Sequence, residues 1–180
     1  MTSARRPAPA VELVQLSIAA FVALAEGDLA AARAASPVPL TPCFAGPDWR
    51  STWRRRAAQV VAHPADAGWV TRVVWDPHRR AAVGRAGFHA APDADGTVEI
   101  GYAVVPEFRR QGYARAALEL LLARAAREPA VRVVRVTISP DNHASQKLAL
   151  PYGFALVGEQ QDDEDGLELV HQLPAARLRA

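Results

Sequence analysis

One passage of this chain narrows its possible folds more than any other: between residues 97 and 127 a strand-like run, a proline, a glycine-containing turn and a helical stripe follow one another without interruption. Residues 97–105 read as a strand, and Pro106 ends it because proline has no amide to donate to a ladder. Beyond the turn, Ala114, Ala117, Leu118, Leu121, Leu122 and Ala125 recur at helical spacing, so a helix is expected over residues 110–127. Pro129 stops it. Residues 131–138 are then a β-branched strand with apolar residues on both faces, the pattern of a central strand.

The flanking segments fit around that unit. Residues 1–9 read as a loose tail, which leaves residues 10–180 for one folded domain of ordinary size. A first strand is expected within residues 11–17. One or two helices follow over residues 18–35, broken at Gly27 and capped again by Asp28. Trp49, Trp53, Ala57, Val60 and Val61 lie on one face of a helix, which reads the Trp residues as core. The Arg54, Arg55 and Arg56 run reads as a solvated face of that helix. Residues 68–75 and 81–90 read as a strand meander. A short helix capped by Asp141 or Asn142 runs to about Leu150, and two strands, 154–158 and 167–173, flank an acidic turn at residues 160–166. The expected class is α/β (α+β), with a mixed, mostly antiparallel central sheet flanked by helices in a single domain.

Several function classes drop out. The net charge of +2 is too small to argue for a nucleic-acid partner. Cys43 is the only cysteine, so there is no internal disulfide and no metal-ligand spacing, and no metal is expected. No apolar run reaches the roughly 20 residues of a membrane span, and residues 1–10 lack the apolar stretch of a signal peptide; a cytoplasmic protein without a membrane partner is the expectation. His89 and His143 sit in no nucleophile or metal pattern and read as structural or surface residues.

The turn before the long helix carries the chemistry. A helix N-terminus has amides without partners, and its aligned peptide dipoles favour negative charge. Gly112 lets the backbone approach a bulky anion, Ala114 is small for the same reason, and Arg109 and Arg110 add positive charge. A pyrophosphate fits there. No Gly-x-x-x-x-Gly-Lys-Ser/Thr and no Gly-x-Gly-x-x-Gly is present for a P-loop or a dinucleotide fold.

With residues 99–114 reading Glu-Ile-Gly-Tyr-Ala-Val-Val-Pro-Glu-Phe-Arg-Arg-Gln-Gly-Tyr-Ala, and with Asn142 followed by Gly153 and Phe154, the chain resembles the GNAT family of acetyltransferases over residues 68–172. The resemblance implies acetyl-CoA as co-substrate and an amine, either a peptide N-terminus or a small molecule, as acceptor. Amides of Arg110, Gln111, Gly112, Tyr113, Ala114 and Arg115 would hold the pyrophosphate, with Arg109 beside them. The backbone of Tyr102, Ala103 and Val104 would align the pantetheine and acetyl group as an added strand, and Asn142 would bond the pantetheine arm or cap its helix.

The catalytic residues are less settled. A lysine amine with pKa about 10.4 needs a base far more than an α-amine near 7.7–8.0. Many family members carry a tyrosine seven residues after the Asn, where this chain has Ala149, and some use a Glu as base where it has Thr137. The branch that acetylates ribosomal-protein N-termini resembles this chain at Asn142 and Ser145, and at Glu164. That likeness implies Ser145 as proton partner of the thiol and Glu164 as base, with Glu99 the rival base. A non-catalytic acyl-CoA-binding sensor or scaffold is the alternative that Ala149 supports. A homodimer is admissible, and the sequence does not select it.

Overall fold

The computed structural model describes residues 8–162 and 166–179. Strand β1 (Glu12–Val14) is shorter than expected, because Ser17 is already committed as a helix cap and accepts a hydrogen bond from the amide of Ala20. Helix α1 (Ile18–Glu26) ends at Gly27, whose φ of 80° closes the left-handed C-cap, and Asp28 caps α2 (Leu29–Ala35) through the amide of Ala31. Pro47 opens helix α3 (Pro47–Ala62). Strands β2 (Arg72–Asp76), β3 (Ala81–Phe88) and β4 (Thr97–Val104) form the expected meander.

Helix α4 (Tyr113–Arg127) begins three residues later than the apolar stripe suggested, because Arg110 and Gly112 take φ of 62° and 91° and cannot continue a right-handed turn. It is followed by β5 (Val133–Ile138), α5 (His143–Ala149), β6 (Ala155–Asp162) and β7 (Gly166–Pro174). The acidic turn is therefore shorter than expected. Gln160 and Asp162 continue β6, since pairing of Gln160 with Glu168 and of Asp162 with Gly166 outweighs the weak strand preference of polar residues.

All seven strands form one sheet in the order β1-β2-β3-β4-β5-β7-β6. Every pairing is antiparallel except β4 with β5, which α4 connects as a crossover. Helices α4 and α5 cover one face over a core of Val98, Ile100, Leu118, Leu121 and Val134. The other face packs under α1 and α3, where Phe21, Phe44, Trp49 and Trp53 cluster. Trp53 is 0% exposed and donates its indole N–H to the Phe44 carbonyl at 2.6 Å, so the tryptophans of α3 are core, as read from the sequence. Among the described residues no helix is long and apolar enough to cross a membrane.

Candidate functional site

The parallel pair sets up the site by failing to stay together. β4 and β5 are in register only at Thr97, Val98 and Glu99 opposite Val133, Val134 and Arg135. Past these rungs β4 remains paired to β3 as far as Val104, while β5 follows β7. Between the diverging strands lies a cavity of about 470 Å³, with Ile100, Gly101 and Tyr102 on one side and Val136, Thr137 and Ile138 on the other. The β5-facing edge of β4 beyond Glu99 has no strand partner among the described residues, so its main-chain groups can accept a strand-like ligand.

The turn into α4 is built from backbone. Gly112 is the N-cap, with no side chain capping it, and the first intrahelical bond runs from the Ala116 amide to its carbonyl. The amides before Ala116 are left for another acceptor. A Cβ on Gly112 would lie 3.1 Å from Pro9 Cδ, in addition to the strain of its positive φ. Arg109 donates from Nε to the Val104 carbonyl at 3.2 Å and ties the turn to the end of β4. Gln111 accepts from Arg79 at 2.9 Å and donates to the Glu107 carbonyl, while the Tyr113 hydroxyl donates to buried Asp76 at 2.6 Å. These side chains hold the turn in shape. Burial and the Asp76 hydrogen bond push the Tyr113 phenol up to about 12. Burial alone would raise Asp76, but the bonds from Tyr113, Arg79 and His78 outweigh it and hold its carboxyl below the usual range.

Polar side chains meet at the splay. Thr137 donates its hydroxyl to Glu99, and His89 Nδ1 lies 3.4 Å from the same carboxylate oxygen. The His89 ring fits over β4 because residue 101 is glycine; a Cβ there would come within 2.7 Å of His89 Nε2. Partial burial against the cleft walls, which disfavours the charged imidazole, lowers the His89 pKa. The Glu99 carboxylate opposes this, and the charges of Arg56, Arg55 and Arg85 reinforce it, so the imidazole sits below its ordinary value and is neutral at pH 7. Across the wedge, Ser145 and Tyr102 line the same cavity, and burial raises the phenol pKa against the opposing effect of the nearby Ser145 hydroxyl, with burial the larger effect. Asn142 caps α5 by accepting from the Ser145 amide at 3.1 Å and also lines the cavity.

The family profile described as the acetyltransferase (GNAT) domain matches residues 18–155. The chain belongs to the GNAT family of acetyltransferases. It is 36% identical over 74 residues to an uncharacterized N-acetyltransferase of Bacillus subtilis (strain 168), YjdG, a match covering 41% of this chain and 44% of that protein. The chain thus aligns with less than half the length of that relative. Among solved structures, mutant forms of the spermidine/spermine N-acetyltransferase SpeG from Vibrio cholerae align with a TM-score of 0.65 at 13% identity, covering 94% of this chain and 97% of theirs. RimL, a ribosomal-protein alpha-N-acetyltransferase in complex with coenzyme A, aligns with a TM-score of 0.63 at 18% identity, covering 91% and 93%. At these identities the solved structures share the GNAT fold.

Within that fold the sequence-predicted residues divide into groups. Glu99, Tyr102, Asn142 and Ser145 converge on the cavity, whereas Glu164 lies outside the described residues. Ala149 is fully buried, and the Tyr152 hydroxyl donates to Glu119 on α4 at 2.6 Å. Thr137, at the position where some members carry a base, holds Glu99. Two readings from the sequence hold in part. Arg54, Arg55 and His89 are exposed as expected, but His89, Arg55 and half-buried Arg56 also line the cleft, because Thr52, Arg55 and Arg56 fall at i, i+3 and i+4 on a face of α3 adjacent to the tryptophan face. The Tyr102 side chain was missed, since the strand pattern gave weight only to its backbone.

Proposed function

We propose that this protein transfers an acetyl group from acetyl-CoA to a primary amine by direct attack of the amine on the thioester carbon. The observation that carries the reading is the parting of β4 from β5 after three paired residues, with the α4 turn at the same end of the sheet. The residues present fit acetyl-CoA. The free amides at Gly112, Tyr113, Ala114 and Arg115 suit a pyrophosphate, and the open β4 edge at Tyr102, Ala103 and Val104 suits the amide-bearing pantetheine arm. Asn142 can reach that arm with the amide nitrogen its cap leaves over. When bound, acetyl-CoA supplies an activated acyl group and a thiolate leaving group of pKa near 8.5.

The chain's own residues then manage protons and charge. Glu99, held by Thr137 and adjacent to a neutral His89, is the acceptor we assign for the amine proton, directly or through water. Tyr102 and Ser145, which line the same cavity, are the donors we assign for the departing sulfur, so a phenol comes from β4 where position 149 offers none. An amide of β4 near Val104 serves the thioester oxygen. Ser145, Glu99 and Glu164 keep their expected roles as candidates, with Glu99 favoured by its neighbours. That phenol also favours turnover over the sensor or scaffold reading. The cytoplasm is the proposed location on the sequence grounds already given. Incubation with acetyl-CoA and an amine panel is expected to release thiol in an amine-dependent manner; absence of acetyl-CoA binding by calorimetry overturns the proposal.

A further inference from the structure

The cleft is lined by charges of both signs: Glu99, Asp162 and Glu168 from the sheet, Arg55 and Arg56 from α3, and Arg85 from β3. Arg56 differs from the other cations. Its Nη1 donates to Gln59 Oε1 and to the His89 carbonyl, both at 2.7 Å, so the guanidinium is fixed in place by neutral acceptors only. Among the described residues it makes no ion pair. Burial first, and then the neighbouring charge of Arg55, push its pKa down to about 10 against the pull of Glu99. A fixed, partly desolvated cation held by neutral partners binds an anion without losing an existing salt bridge, and pays little ordering entropy. Thr52, one helical turn before Arg55 and Arg56 and itself buried, adds a hydroxyl to the same wall.

The separation of Arg56 and Glu99 limits what can bridge them. His89 accepts from Arg56 through its carbonyl and approaches Glu99 through its ring, so a single residue spans the distance between the cation and the assigned proton acceptor. We propose that Arg56 anchors an anionic group on the acceptor itself, so that the substrate is a small molecule carrying a carboxylate or phosphate a few bonds from its reactive amine. This rests on the acetyl-transfer reading of the same cleft. The amine faces Glu99 and the anion faces Arg56. A polyamine would instead place a second ammonium against the arginine wall, where like charges repel.

The test compares common L-amino acids with their carboxamides, 2-aminoethyl phosphate and 1,4-diaminobutane. Each is measured for amine-dependent thiol release with acetyl-CoA, and for binding to the protein alone by calorimetry. Free acids are expected to exceed their amides in kcat/KM by about 30-fold or more. In Arg56→Gln that ratio is expected to fall to within about threefold of one, and Arg56→Lys is expected to keep part of it because a charge remains. A larger kcat/KM for 2-aminoethyl phosphate than for the acids would support the same anchor with phosphate as its group. The proposal is overturned if acids and amides are equivalent in the native protein, if the diamine is preferred, or if the ratio survives in Arg56→Gln. Should Arg56→Gln fail to fold, the acid-to-amide comparison in the native protein decides alone. If acetyl-CoA does not bind, the transfer reading fails separately, and the binding measurements without acetyl-CoA still report on the anion site.

Discussion

The turn at residues 109–113 and the wall of Thr52, Arg55, Arg56 and His89 are built by opposite means. The turn is a contiguous stretch that leaves main-chain amides without helical partners, and its side chains at Gln111 and Tyr113 are engaged in bracing it. The wall is assembled from α3 and the end of β3, and its useful groups are side chains. A backbone site is fixed by the few positions where glycine conformations are needed, and it tolerates most other replacements. A side-chain site can be changed one residue at a time without disturbing the chain path. On the proposed function, one protein can therefore keep a constant cofactor-binding turn while its acceptor-facing wall varies.

That contrast can be tested in order of expected effect. Glu99→Gln should lower kcat by about 100-fold or more while the acetyl-CoA dissociation constant stays within about twofold, which steady-state kinetics and calorimetry together would show. A loss of acetyl-CoA binding instead would place Glu99 with the cofactor-binding turn. Gly112→Ala should weaken acetyl-CoA binding by about 30-fold and lower the melting temperature by several degrees, since the φ of 91° and the nearby Pro9 both resist a Cβ. Ser145→Ala and Tyr102→Phe should each reduce kcat about tenfold with little change in the acceptor KM, and the double variant should fall short of the product if the two act as one pair.

Two smaller effects concern stability. Tyr113→Phe removes the bond to buried Asp76 and should cost about 1–3 kcal/mol, measured by chemical denaturation. The His89 imidazole has a lower pKa folded than unfolded, so as pH falls below about 6.5 the unfolded chain takes up its proton first and stability declines. His89→Gln should flatten the fall in melting temperature between pH 6.5 and 5. The change should be only about 1–2 °C, because 45% of the side chain is open to solvent.

Much of the fold was legible because local rules agreed with tertiary structure. Gly27 and Asp28 separated two helices, Pro106 ended β4, and the apolar stripe of α4 faced the sheet as its spacing required. The turn into α4 was legible in outline for the same reason, since it is short and Gly112 marks where its backbone leaves the right-handed region. The wall of Arg55, Arg56 and His89 was not. Whether Arg55 and Arg56 face water or a cleft depends on where α3 lies across the sheet, and helical periodicity is silent about that. His89 looked like a surface residue because its partners, Glu99 at 3.4 Å and Arg56, come from separate elements. Polar Gln160 and Asp162 resembled a loop until β7 paired with them.

Three rungs join β4 to β5, and what they leave undone matters beyond the site. The sheet divides into two leaves, β1 to β4 and β5 to β7, joined at Thr97, Val98 and Glu99 and covered by α4 and its core. A ligand laid into the gap supplies rungs that neither leaf can make for the other. Occupancy at 100 times the dissociation constant adds about 2.7 kcal/mol to the folded state, and part of that gain is expected as slower hydrogen exchange along residues 100–104. On the proposed function, the co-substrate would double as a structural member, and the cohesion of the sheet would gauge whether the cleft is filled.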